Sequence, residues 1–112
     1  MNMRRLCSLN ELRDRGARGF ELSLPDGTKA SFIVVRDGDA VYVYHNRCPH
    51  TGINLEWQPD QFLDPDGAFL QCATHGALFR PEDGYCVRGP CAGDRLQAVP
   101  AAVIDGEVAI RA

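Results

Sequence analysis

Short apolar runs separated by polar turn residues make up most of this chain. β-branched or aromatic side chains fill every position of segments 32–35 and 41–44, which is typical of β-strands. Asp-Gly pairs follow several runs, and the glycine of each pair tolerates the positive φ that tight hairpin turns require. The pairs are Asp26-Gly27, Asp37-Gly38, Asp66-Gly67, Asp83-Gly84 and Asp105-Gly106. The pattern predicts an all-β fold, an antiparallel sandwich or a small barrel.

The same pattern predicts the individual elements. Strands are expected at 20–24, 31–35, 41–44, 69–71, 77–80, 85–87, 96–104 and 108–110. Cys7 is expected to be a small core residue in a strand that precedes them. Ser8 and Glu11 have the spacing of a capping box, which predicts at most one short helix, ending near Gly16. Pro100 interrupts an apolar run, so we expect a bulge or an edge strand there.

The chain has 112 residues, which predicts a single domain over 1–112. The segment from about 46 to 93 differs in character from the rest, since it contains five of the seven prolines and several glycines. We interpret it as a small subdomain inserted into the β framework.

Charge and composition narrow the class of protein. A net charge of −3 with 24% charged residues favours neither a nucleic-acid-binding surface nor disorder. No apolar stretch reaches membrane-spanning length, and the first residues lack the apolar core of a signal peptide. We therefore expect a cytoplasmic protein with reduced thiols and no membrane association. Five cysteines cannot all pair in intrachain disulfides, so metal ligation is the better explanation for some of them.

Two short segments each combine one cysteine with one histidine. They are Cys48-Pro49-His50 and Cys72-Ala73-Thr74-His75, and 21 residues lie between His50 and Cys72. Two thiolates and two imidazoles suit an iron–sulfur centre in which histidines replace two cysteines on one iron. A structural zinc site is the alternative, although such sites usually group the cysteines together and the histidines together. A nucleophilic cysteine is a weaker alternative, because no third orienting group is evident.

These segments and their neighbours resemble the Rieske [2Fe–2S] proteins, most closely the small soluble Rieske ferredoxins. The matching residues are Cys48-Pro49-His50-Thr51-Gly52, Cys72-Ala73-Thr74-His75-Gly76-Ala77-Leu78-Phe79, Asp83-Gly84 and Gly89-Pro90. The resemblance implies a Rieske-type antiparallel β-sandwich with an inserted cluster-binding subdomain and one [2Fe–2S] cluster. It also implies that Cys48 and Cys72 bind one iron, and that His50 and His75 bind the other through Nδ1.

The chain departs from the high-potential Rieske proteins of quinol-oxidising complexes. Those proteins have a disulfide between the two cluster loops, and the corresponding positions here are Ile53 and Thr74. They also donate hydrogen bonds to the cluster from a serine and a tyrosine, at positions that Ala77 and Phe79 occupy here. Fewer donors disfavour the reduced cluster, which predicts a reduction potential near the low end of the Rieske range.

The resemblance implies a function as a one-electron carrier without a substrate site of its own. The donor would be a flavin-containing reductase, and the acceptor a Rieske oxygenase or another redox enzyme. Two alternatives are a small Rieske subunit of a larger oxidoreductase, such as nitrite reductase, and a redox-sensing module. The sequence identifies neither partner, nor the final substrate, nor the oligomeric state.

The other candidate residues carry less specific expectations. We expect Cys86 and Cys91 to be two thiols that flank the Gly89-Pro90 loop rather than a disulfide. His45 is expected to be a surface histidine. Arg47, Arg80 and Arg88 are expected near the cluster-binding tip, where they would frame a docking surface.

Overall fold

Strands account for most of the secondary structure in this computed structural model. The structure describes residues 3–23, 26–47, 49, 55, 62–64, 67–72, 76–90 and 92–111. The strands are β1 (Met3–Ser8), β2 (Ala17–Ser23), β3 (Lys29–Asp37), β4 (Ala40–His45), β5 (Leu70–Gln71), β6 (Leu78–Phe79), β7 (Cys86–Arg88), β8 (Ala98–Val99), β9 (Ala101–Ile104) and β10 (Glu107–Arg111). Each apolar run that predicted a strand overlaps at least one strand, so the all-β prediction is confirmed.

The strands form three antiparallel sheets. Their orders are β1-β10-β9, β2-β3-β4-β8 and β5-β6-β7. The second sheet lies between two cores, because side chains alternate between the faces of a strand. Phe32 and Val34 of β3 belong to the core shared with β1 and β10. Ile33 and Val35 belong to the core shared with β5, β6 and β7.

The sheet β5-β6-β7 occupies the described part of the segment that we interpret as an inserted subdomain. Its core includes Leu55, Phe62 and Phe79, all with no exposed surface. The hydroxyl of Tyr44 on β4 donates a hydrogen bond of 2.6 Å to the Pro81 carbonyl in the turn between β6 and β7. The small sheet is therefore held to the larger one by apolar packing and by a polar contact at its outer turn.

One local prediction differs from the structure, and another is confirmed. The helix expected to extend towards Gly16 is a single 3₁₀ turn, Leu9–Glu11, and the Ser8 N–H donates to the Glu11 carboxylate at 2.6 Å. The chain then passes through Arg15, whose φ of +58° is incompatible with continuing a helix. Pro100 does mark an edge, as expected, because the strands on either side of it, β8 and β9, each lie at the edge of their sheet. It separates β8 from β9, where the chain passes from one sheet to another. No helix in the described part of the chain is long and apolar enough to cross a membrane.

Candidate metal centre

Of the four predicted ligands, Cys72 lies within the described residues. It follows β5 directly, and its side chain has no exposed surface and packs in the core that contains Leu70 and Phe79. Cys48, His50 and His75 lie outside the described residues. Within the described ranges, no three side chains of histidine, cysteine, aspartate or glutamate come together as a metal site. The four-residue ligand set therefore stays a prediction.

The loop that follows Cys72 is closed by backbone hydrogen bonds. The Gly76 N–H donates to the Cys72 carbonyl at 2.9 Å, and the Cys72 N–H donates to the Ala77 carbonyl at 2.9 Å. Gly76 has a φ of +67°, a backbone conformation that glycine adopts without steric cost. Cys72 and Gly76 therefore lie at the two ends of one tight loop.

The segment with the first cysteine–histidine pair leaves the sheet at the end of β4. The His45 N–H donates to the Gln97 carbonyl and the Asn46 N–H donates to the Ser31 carbonyl, both at 2.9 Å. Arg47 and Pro49, which come next among the described residues, are exposed. Hydrogen bonding to the sheet among these residues therefore extends to Asn46, two residues before Cys48 in the sequence.

The Gly89-Pro90 loop lies directly against the Cys72 loop. Gly89 has a φ of +107°, and a Cβ atom at this position would lie 2.8 Å from Ala77 Cα. In the sheet, Leu78 pairs with Arg88, which brings β7 to the same end of the hairpin. The sequence gives no direct signal for this contact, although the order of the glycine and proline residues predicted a loop near the cluster.

Cys7 and Cys86, the other cysteines among the described residues, lie in two different cores. Cys7 is buried in the core between the larger sheets, as expected, and burial raises the pKa of its thiol. Cys86 is also fully buried, and its thiol donates to the Arg88 carbonyl at 3.3 Å. Cys91 lies outside the described residues, so the expectation that these two cysteines are thiols stays a prediction.

The arginines predicted at the tip do not share one surface. Arg88 lies beside the Gly89 loop, but Arg80 begins the turn at the opposite end of the β6–β7 hairpin. There its guanidinium hydrogen-bonds Asp83 and lies 4.9 Å from the centroid of the Tyr85 ring. The hydrogen bond from Arg80 also holds the pKa of the Asp83 carboxyl below its usual range. The placement of Arg80 at the tip was wrong, because the hairpin separates it from Arg88.

His45 is half-buried rather than fully at the surface. Its ring lies 5.2 Å from the ring of Phe32, on the face of the sheet opposite the Cys72 core. Burial lowers the pKa of His45 below the usual value of 6.5. Its ring at the end of β4 therefore packs against Phe32 on the neighbouring strand β3.

We expect His45 to make the stability of the protein depend on pH. Because its pKa is lower in the folded protein, His45 is protonated in the unfolded chain at pH values where it stays neutral in the folded one. Its contribution to the free energy of unfolding is therefore fully present above about pH 6.5 and is lost as the pH falls further. Urea denaturation of wild type and His45→Gln at several pH values tests this. The difference between their free energies of unfolding should change below about pH 6.5. Parallel pH profiles for the two proteins would contradict the assignment.

The comparisons with known proteins agree with this architecture. The sequence profile of the Rieske [2Fe-2S] domain matches residues 3–102. Because this match spans most of the sequence, the chain belongs to the Rieske [2Fe–2S] domain family, which binds a [2Fe–2S] cluster. The predicted class of protein and its cofactor are thereby confirmed. No curated protein sequence matches the chain.

Solved structures with similar folds include components of carbazole dioxygenases. The ferredoxin of carbazole 1,9a-dioxygenase from Nocardioides aromaticivorans IC177 is 24% identical, with a TM-score of 0.75 over 98% of this chain and 97% of that one. A complex of oxygenase and ferredoxin matches with 24% identity and a TM-score of 0.72 over 96% and 91%. The terminal oxygenase from Novosphingobium sp. KA1 matches with 20% identity and a TM-score of 0.71 over 97% of this chain but 29% of its own. These similarities establish the fold.

The donor chemistry fits the cluster of this family. Two thiolates and two imidazoles are the Rieske ligand set, and the sequence supplies them in two closely spaced pairs. The described part of the site is compatible with it, because Cys72 presents its sulfur from a closed loop within an apolar core. Such surroundings also exclude water from the thiolate.

Proposed function

We propose that this protein is a one-electron carrier, and that Cys48, His50, Cys72 and His75 bind its [2Fe–2S] cluster. The observation that carries the proposal is the family match over residues 3–102, together with the closed loop that positions Cys72. The cluster, when bound, accepts and returns a single electron. The role of the chain is to hold its ligands, limit their contact with water and expose one end of the site to a partner.

Some described residues shield the proposed cluster site from water, and others lie exposed beside it. Cys72 is fully buried and its loop is closed by main-chain hydrogen bonds, so little rearrangement of this ligand is needed during a redox cycle. Pro49, Gly89 and Pro90 are exposed. They flank the predicted ligand positions or contact the Cys72 loop, and this end of the molecule is therefore the proposed route for electrons.

The proposed electron donor and acceptor follow from the proteins whose structures are similar. Among the similar structures, a ferredoxin of a carbazole dioxygenase is matched over nearly its whole length, and another is in complex with its oxygenase. An oxygenase is accordingly the proposed electron acceptor and a flavin-containing reductase the proposed donor, both in the cytoplasm. The protein would have no substrate site of its own.

Electron paramagnetic resonance of the dithionite-reduced protein tests the cluster assignment. Mixed cysteine and histidine ligation is expected to lower the average g value relative to an all-cysteine cluster. Elemental analysis should find two iron atoms per chain. Zinc without iron would overturn the proposal. Stopped-flow mixing of the reduced protein with an oxidised Rieske oxygenase then tests the carrier role, since a carrier is reoxidised in one step.

The reduction potential is expected near −150 mV, at the low end of the Rieske range. Ala77 and Phe79 are buried where the high-potential proteins have hydroxyl groups, so neither can stabilise negative charge on the cluster by a side-chain hydrogen bond. Spectroscopic redox titration measures the value. A potential far above zero would show that other donors compensate for the missing hydroxyls.

A further inference from the structure

Asn46 is the one buried polar or charged side chain among the described residues, with 4% of its surface exposed. Burying an amide destabilises the fold unless its polar atoms are hydrogen-bonded. Here both ends of the carboxamide have partners. Its Oδ1 accepts from the Leu55 N–H at 2.9 Å, and its Nδ2 donates to Ser31 Oγ at 3.2 Å.

These partners lie on two different parts of the fold. Ser31 belongs to β3, and its carbonyl also accepts from the Asn46 N–H at 2.9 Å. Leu55 lies nine positions further along the chain and is fully buried in the core that contains Cys72. The Asn46 side chain thus links the two ends of segment 46–55 to each other and, through Ser31, to the sheet β2-β3-β4-β8.

The segment closed in this way contains Cys48 and His50. We infer that Asn46 is a positioning residue, whose carboxamide closes the first ligand loop as main-chain hydrogen bonds close the Cys72 loop. This inference rests on the proposed ligand set. Closing a loop removes conformational entropy before the ligands bind, so the two donors would reach the cluster at lower entropic cost and would be released less often.

An asparagine side chain can accept the hydrogen bond from Leu55 and donate the one to Ser31 at the same time. The Leu55 N–H needs an acceptor and Ser31 Oγ can accept from a donor, and the carboxamide supplies both without a charge. Aspartate would keep the acceptor but place a negative charge in a buried position. Alanine would leave the Leu55 N–H without its side-chain acceptor.

The test compares Asn46→Ala, Asn46→Asp and Ser31→Ala with wild type. Asp64→Ala is the matched control, because the Asp64 Oδ1 accepts from the N–H groups of Ala68 and Phe69 and closes a short loop that contains no predicted ligand. Three quantities are measured on the iron-loaded proteins: the half-time of loss of visible absorption in excess chelator, the g values of the reduced state and the urea midpoint.

Asn46→Ala is expected to lose its cluster about tenfold faster than wild type and to have altered g values, since the buried Leu55 N–H would lose its side-chain acceptor. Asn46→Asp, which keeps the acceptor, should release its cluster more slowly than Asn46→Ala. Asp64→Ala should lower the urea midpoint and leave the g values unchanged. The inference is overturned if Asn46→Ala has wild-type g values and loses its cluster no faster than Asp64→Ala.

Two further outcomes are assigned in advance. If Asn46→Ala does not fold, Ser31→Ala decides: faster cluster loss than in Asp64→Ala supports the inference, and an equal rate overturns it. A wild-type protein without iron would contradict the proposed function itself. An iron-loaded wild type with indifferent Asn46 and Ser31 variants contradicts the positioning role alone.

Discussion

Cys72→Ala will abolish binding of the [2Fe–2S] cluster, whereas Cys86→Ala will leave it in place. Both cysteines have no exposed surface and lie in the same apolar core, so each substitution removes one sulfur atom from similar surroundings. The packing cost is thereby matched between the two variants. Only Cys72 belongs to a cysteine–histidine pair in the sequence, and the loss of one of the four proposed ligands would open the coordination of one iron.

Iron content, visible absorption and electron paramagnetic resonance of the purified variants measure this difference. Cys72→Ala should contain essentially no iron and give no signal after reduction. Cys86→Ala should retain the wild-type g values and transfer electrons at the wild-type rate, as expected of a carrier rather than of a redox sensor. Loss of the cluster from both variants to the same degree would mean that packing, not ligation, determines its retention.

Gly89→Ala will destabilise the protein more than Gly93→Ala and will also weaken retention of the cluster. Both glycines have positive φ angles, +107° and +95°, so either substitution carries a backbone cost of about 1–2 kcal/mol. A Cβ atom at Gly93 would meet nothing within 4 Å. At Gly89 it would lie 2.8 Å from Ala77 Cα, and overpacking of this kind adds about 1–3 kcal/mol.

The clash at Gly89 is with main chain, so it is relieved only by moving one of the two loops. Ala77 is hydrogen-bonded through its carbonyl to Cys72, and the displacement therefore reaches the predicted ligand. Urea denaturation gives the difference in free energy of unfolding, and chelator-driven loss of absorption gives the effect on the cluster. Equal values for the two glycine variants would show that the loops separate without cost.

Local patterns predicted the features of the fold that depend on neighbouring residues. The β-branched and aromatic residues at 32–35 indicated a strand, and the structure places Phe32 and Ile33 in opposite cores. The cysteine–histidine pairs indicated the class of protein, because metal chemistry demands particular side chains at short separations. The family match confirmed that class.

Features that depend on distant contacts could not be predicted. The apolar run around Pro100 was one segment in the sequence, but its two halves join different sheets. The role of Asn46 depends on Ser31 and Leu55, which only the tertiary fold brings beside it. The sequence shows only that Asn46 is a polar residue between a predicted strand and the first cysteine–histidine pair. That pattern fits a buried, hydrogen-bonded side chain and a solvent-exposed turn equally well.

Strand β3 limits how segment 46–93, with its proposed cluster ligands, can be engineered. Ile33 and Val35 belong to the core that contains Cys72, while Phe32 and Val34 of the same strand belong to the opposite core. A peptide excised at 46–93 would lack that wall and expose the apolar side chains that it covers. Transplanting this redox centre into a new host therefore requires the host to supply a matching β-strand, with bulky aliphatic residues in the same register.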